Sequence, residues 1–139
     1  MVKSIGPKKI NVAVFISGTG SNFKNLVIHS FKRNSKFRIE LVISNNPKAK
    51  GLDYANKFKV KKRIIHYSNI GYAEKKIIFE LQKNKIDLIC LAGFMKILSR
   101  NFIKKYSGKI LNIHPSLLPK YKGLETHERA ISNKEKYSG

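Results

Sequence analysis

A chain of 139 residues is long enough for one domain with a modest core, and 42% hydrophobic with 10% aromatic residues places it among globular rather than disordered chains. No apolar run approaches the roughly 18–20 residues of a membrane span, and the one cysteine, Cys90, excludes an intramolecular disulfide and a multi-cysteine metal site, so the cytosol is the expected compartment. The net charge is +21, yet only five of the 29 basic residues are arginine and the lysines run along the whole chain; this describes a solvated surface that steers anionic small molecules rather than a dedicated nucleic-acid face.

Residues 1–9 form a basic extension that leads into a short apolar run, broken by Asn11 and ending in a glycine turn rather than a cleavage site, so no signal peptide is expected. Residues 10–139 then alternate short apolar runs with amphipathic stretches, the pattern of βαβ units. Residues 10–16 are β-branched and almost continuously apolar, as suits a central strand covered on both faces. The turn 17–22 leads into a helix through about residue 31. A second strand, 39–44, ends at Asn45-Asn46-Pro47, a strong turn signal.

A helix over 51–57 and a short strand over 62–65 follow. Residues 72–83 predict an amphipathic helix with Ala73, Ile77, Ile78 and Leu81 inward and the lysines, Glu74 and Glu80 outward. A buried strand over 87–92 ends at Gly93. A helix near 100–106, a strand over 109–114, a proline-bracketed loop over 115–123 and a helix from about Thr126 complete the series. The fold class expected is α/β, a Rossmann-like, mainly parallel sheet with helices on both faces. Residues 134–139 read as a helix end and a turn into something further, as in a domain truncated at its C-terminus.

Two constellations carry chemistry. The first is Ser17-Gly18-Thr19-Gly20-Ser21-Asn22, between a buried strand and a helix start. Its glycines permit positive φ and close backbone approach, and the helix N-terminus presents free N–H groups to an anion such as phosphate. It is neither the full dinucleotide fingerprint, since Phe23 stands at the third glycine, nor a Walker loop. A plain turn capped by Ser or Asn is the alternative. The second is Asn112 and His114, two apart near the end of a strand and so on one face. An amide donor beside an imidazole could stabilise a developing oxyanion and pass a proton to a leaving group. Ser116 has no base and orienting acid around it in sequence, which favours direct acyl transfer between two bound substrates. A simple strand-end hydrogen bond is the alternative for His114, and it is the preferred reading of His29 and His66; His127 begins a helix and could cap it or line the site. The histidine spacing disfavours a metal.

With these residues in view, 16–22, 91–99 and 111–121 resemble, in order and separation, three blocks of the glycinamide ribonucleotide formyltransferases, a folate-dependent family. The resemblance covers nearly the whole chain after the basic extension. It implies formyl transfer from 10-formyltetrahydrofolate, a co-substrate, to the amine of glycinamide ribonucleotide in purine synthesis. It implies that Gly20, Ser21 and Asn22 hold the ribonucleotide phosphate. Met95, Lys96, Ile97 and Leu98 would line the folate site, with Asn112 also contacting the formyl donor and His114 as catalytic acid. Without it, residues 95–98 read as ordinary loop-and-helix packing. The partners implied are small molecules, with no membrane and no nucleic acid, and the state expected is a monomer or weak dimer.

Three departures stand out. The aspartate that supports the histidine in the family would fall beyond residue 139, and none of the eight acidic residues present matches it. Glu125 stands where a histidine is common, and Lys96 replaces a commonly seen arginine. The rival readings are a formyltetrahydrofolate hydrolase, a methionyl-tRNA formyltransferase, a non-catalytic basic module that binds nucleic acid, and an inactive fragment of the ribonucleotide enzyme.

Overall fold

The computed structural model describes residues 6–114, 118–120, 122–123 and 125–137. Ten elements follow one another as strand and helix: β1 (Ile10–Ile16), α1 (Ser21–Ser30), β2 (Phe37–Ser44), α2 (Gly51–Lys57), β3 (Lys61–Ile64), α3 (Ile70–Lys83), β4 (Leu88–Leu91), α4 (Arg100–Lys105), β5 (Lys109–Asn112) and α5 (Thr126–Ser132). The five strands form one sheet in the order β3-β2-β1-β4-β5, and every pairing is parallel. The α/β class and parallel sheet expected from the sequence are what the chain adopts.

The sheet's two faces are filled by alternate residues of the same strands. Ala13, Phe15, Leu41, Ile43 and Ile89 pack with Ala73, Ile77 and Leu81 of α3 and Phe102 of α4. Val12, Val14, Ile16 and Val42 pack with Phe23 and Val27 of α1 and Leu52 and Ala55 of α2. Helices on both faces explain why β1 alternates no polar residues: Val12 to Ile16 are all buried. Each fully buried Phe or Ile contributes roughly 1.5–3 kcal/mol.

The ends of elements account for most differences from the expected boundaries. β2 begins at Phe37, two residues early, and a register shift between Val12 and Ala13 leaves Glu40 as the extra residue. α3 begins at Ile70 because the Asn69 side chain accepts the Tyr72 amide, an N-cap. β5 stops at Asn112, so His114 lies past the strand; the ladder runs one residue further through the Ile113 amide, which donates to the Leu91 carbonyl. One expectation was inverted. Glu74, placed on the solvent face of α3, is buried.

The strand order reverses between β1 and β4. From β1 the chain steps outward through β2 and β3, and then crosses back to lay β4 and β5 on the other side. Connections leaving β1 and β4 therefore diverge and open a crevice at the carboxyl ends of these two strands, the usual ligand position in open α/β sheets.

Candidate active site

The turn after β1 forms one wall of this crevice. Gly20 is the N-cap of α1 with φ 73°, a left-handed conformation natural to glycine, and no side chain caps the helix. The capping alternative for Ser21 and Asn22 is thus not realised, and both residues are exposed. The turn is braced by a second glycine. A Cβ on Gly20 would lie 2.5 Å from the Gly51 Cα, and one on Gly51 would lie 2.6 Å from the Ile16 Cδ1 and 2.9 Å from the Gly20 Cα. The Gly51 amide donates to the Gly18 carbonyl at 3.0 Å. Two helix starts thus touch backbone to backbone, which sequence spacing does not reveal.

Residues 93–99 form the opposite wall. Gly93, two residues past the end of β4, has φ 75°. Phe94 turns inward, edge-on to Phe15 at 5.3 Å and to Tyr67 at 5.7 Å between ring centroids. Met95 and Ile97 point the other way and are 63% and 90% exposed, although both are apolar. Lys96 between them is exposed, whereas Leu98 is half-buried against the core. Ordinary packing therefore describes Leu98 alone. Ser99 caps α4, its hydroxyl accepting from the Phe102 amide at 3.0 Å.

Ser17 joins the two walls. Its backbone amide donates to the Gly93 carbonyl at 3.1 Å, its carbonyl accepts from Asn46 Nδ2 at 3.1 Å, and its hydroxyl accepts from the Met95 amide at 2.8 Å and donates to Asn45 Oδ1. Asn45 and Asn46, read from sequence only as a turn, also hold the end of β2 against the end of β1. Within the 17–22 turn, local sequence assigns Ser17 no role of its own. Only the tertiary contacts supply one.

Asn112 stands at the carboxyl end of β5, the strand next to β4. Phe15, Leu91 and Asn112 are in register across β1, β4 and β5, so they share the face covered by α3 and α4. Two strand spacings put Asn112 about 10 Å from Phe15. Asn112 is exposed and His114, two residues on, is half-buried. Of the other histidines, His29 stacks on Phe37 at 5.7 Å, His66 is exposed beyond β3, and His127 is exposed in the first turn of α5. Ser116 and parts of the 111–121 block, namely residues 115–117 and 121, lie outside the described residues, as do residues 1–5 of the basic extension and the terminal Ser138 and Gly139.

The perturbed groups sit around rather than in this crevice. Burial, with the Glu74 carboxylate as the lesser cause, pushes the Tyr67 phenol up to about 12. Burial and then Asp87 do the same to Tyr106, and burial raises the Cys90 thiol, as befits an inert structural cysteine. A groove of about 190 Å³ between α3 and α4, lined by Gly71, Glu74, Ile78, Phe102 and Lys105 among others, includes none of the sequence-predicted site residues. Among the described residues no cluster of three His, Cys, Asp or Glu could hold a metal, and no helix is long and apolar enough to cross a membrane.

Comparison with known proteins identifies the family and the fold. Residues 10–139 match the family model described as formyl transferase. The chain belongs to the formyl transferase family. It is 46% identical over 131 residues to the human trifunctional purine biosynthetic protein adenosine-3, a match covering 92% of the chain and 13% of that protein. It is 38% identical over 133 residues to the phosphoribosylglycinamide formyltransferase of Escherichia coli K12, covering 94% of the chain and 63% of that enzyme. Among solved structures, the phosphoribosylglycinamide formyltransferase of Brucella melitensis superposes with a TM-score of 0.89 at 38% identity, over 95% of this chain and 70% of that one. The formyl transferase fold is thus shared across the described sheet, while the chain spans less than two thirds of these curated relatives' length.

Proposed function

We propose that this protein transfers a formyl group from 10-formyltetrahydrofolate to the amine of glycinamide ribonucleotide in purine synthesis. The observation that carries the reading is that three sequence-distant segments stand at the carboxyl ends of the adjacent parallel strands β1, β4 and β5. These are the Gly20 turn, the exposed apolar pair Met95 and Ile97, and Asn112 on the neighbouring strand. Relatives named phosphoribosylglycinamide formyltransferase support the choice of substrates.

In this reading the α1 amides at Gly20, Ser21 and Asn22 receive the ribonucleotide phosphate, with the Ser21 and Asn22 side chains as further donors. Met95 and Ile97 give the flat pterin of the folate an apolar surface that water otherwise covers, with Lys96 and Leu98 flanking it. The substrate amine attacks the formyl carbon directly. Asn112 donates a hydrogen bond to the formyl oxygen as it gains charge, an interaction strongest in the transition state. Protonated His114 stabilises the same oxygen and gives its proton to the folate nitrogen as the old formyl C–N bond breaks, and the proton lost by the attacking amine restores the imidazolium. A cytosolic setting belongs to the same reading and fits a single free thiol.

The test is formyl transfer by the purified protein, with His114→Ala alongside. Loss of a general acid costs about 10²–10⁴ in kcat, so the variant should lose nearly all turnover and keep its ribonucleotide affinity. Near-normal turnover in His114→Ala would remove His114 from the mechanism. Salt-sensitive RNA binding that ignores both Asn112 and His114, without formyl transfer, would replace the enzyme reading by a nucleic-acid module.

A further inference from the structure

Two apolar side chains held in solvent require something to hold them, because Met95 and Ile97 would gain by folding back onto the protein. The segment that carries them is fastened at both ends by side chains from distant parts of the chain. At the front, the Met95 amide donates to the Ser17 hydroxyl at 2.8 Å, 78 residues away in sequence. That hydroxyl donates in turn to Asn45, so its orientation is fixed. At the back, Glu74 of α3 uses both carboxylate oxygens on one residue. The Ser99 amide donates to its Oε1 at 2.8 Å, and the Ser99 hydroxyl donates to its Oε2.

Glu74 is 7% exposed and Ser17 is 9% exposed. A buried carboxylate is costly unless its lone pairs are used, and hydrogen bonds to an ionised group are about twice as strong as neutral ones. Burial therefore concentrates the strength of this contact at the exact residue where the segment becomes α4. Phe94 adds an inward anchor between Phe15 and Tyr67 just behind the front tether. Neither Ser17 nor Glu74 lies among the residues that would touch a substrate.

We infer that Ser17 and Glu74 are positioning residues, which hold segment 95–98 in a preformed outward arrangement that receives the formyl folate. The inference rests on the function proposed above and extends it to residues that act through others. It separates the two substrates. The phosphate turn is braced by the backbone contact of Gly20 with Gly51, so releasing the tethers leaves it in place.

The experiment compares wild type, Ser17→Ala, Glu74→Ala and Glu74→Gln in the full-length protein. Backbone amide exchange reports the tethers. Affinities for glycinamide ribonucleotide and for an unreactive formyl-dideazafolate report the two half-sites. Ser17→Ala should speed exchange at Met95, and the Glu74 variants at Ser99, by tenfold or more, while amides of β1 and α1 stay protected. Affinity for the folate analogue should fall about tenfold in Ser17→Ala and Glu74→Ala, with ribonucleotide affinity within twofold of wild type. Glu74→Gln keeps one acceptor oxygen and should fall between, and it supplies the measurement if Glu74→Ala does not fold. Equal loss of both affinities, or unchanged folate affinity in folded variants, overturns the positioning role alone. Failure of the wild type to bind the folate analogue overturns the formyl-transfer reading and this role with it.

Discussion

The two walls of the crevice do comparable work by opposite means. The turn after β1 is shaped by backbone: a left-handed Gly20, a glycine contact to α2, and a helix start with no side-chain cap. The segment after β4 is shaped by side chains borrowed from elsewhere, namely Ser17, Glu74 and the Phe15–Phe94–Tyr67 aromatic run. A backbone-built wall is intolerant of an added atom where its two glycines touch. A tethered wall tolerates change on its open side and fails only where it is fastened.

The largest effect that tests this contrast is on stability. Gly20→Ala adds a Cβ 2.5 Å from the Gly51 Cα at a residue with φ 73°. The left-handed penalty and the clash together should cost about 2–4 kcal/mol, read as a lowered denaturant midpoint. A loss below about 0.5 kcal/mol would show that the glycine contact yields easily and that the backbone brace is illusory.

A smaller effect is expected on the other wall, and in a different quantity. Met95→Ser with Ile97→Ser should leave stability within about 0.5 kcal/mol, since both side chains are largely exposed. Folate affinity should fall roughly tenfold or more, because each side chain offers on the order of 1.5–3 kcal/mol when a ligand covers it. Isothermal titration with a folate analogue decides this, and unchanged affinity would mean that the pair lines no binding surface.

The smallest effect lies behind the tether. The Tyr67 hydroxyl is buried and makes no hydrogen bond among the described residues. Tyr67→Phe should therefore be neutral or stabilising by under about 1 kcal/mol at pH 7. Its folded-state value of about 12 lies above the ordinary 10. The folded protein thus holds this proton where the unfolded chain releases it, and the contribution is full below pH 10 and lost as pH rises through 12. Urea midpoints at pH 9 and pH 11 should fall less steeply for the variant than for wild type. An equal or steeper fall would place the Tyr67 hydroxyl in water rather than in a buried setting.

Legibility followed the same division between backbone and tethers. The Gly18-Thr19-Gly20 turn was visible in sequence because a positive φ requires a particular residue type at a particular place. Helix α2 matched its expected bounds at Gly51 and Lys57, although nothing local showed that Gly51 also braces Gly20. Glu74 was misplaced because helical periodicity treats a carboxylate as a solvent residue, and no local signal pairs it with Ser99, 25 residues on. Met95 and Ile97 resembled core by composition, and only family resemblance suggested a site there.

By itself, then, the sequence determined the parallel α/β sheet and its glycine turn, since each follows from periodicity or turn chemistry. The tertiary structure alone decided which strand ends meet, through the reversal of order between β1 and β4, and which buried polar groups fasten the segment between them. The physical reason is range. Dihedral preference and hydrophobic period act over a few residues, whereas a hydrogen bond spanning 78 residues exists only once the sheet has brought its ends together.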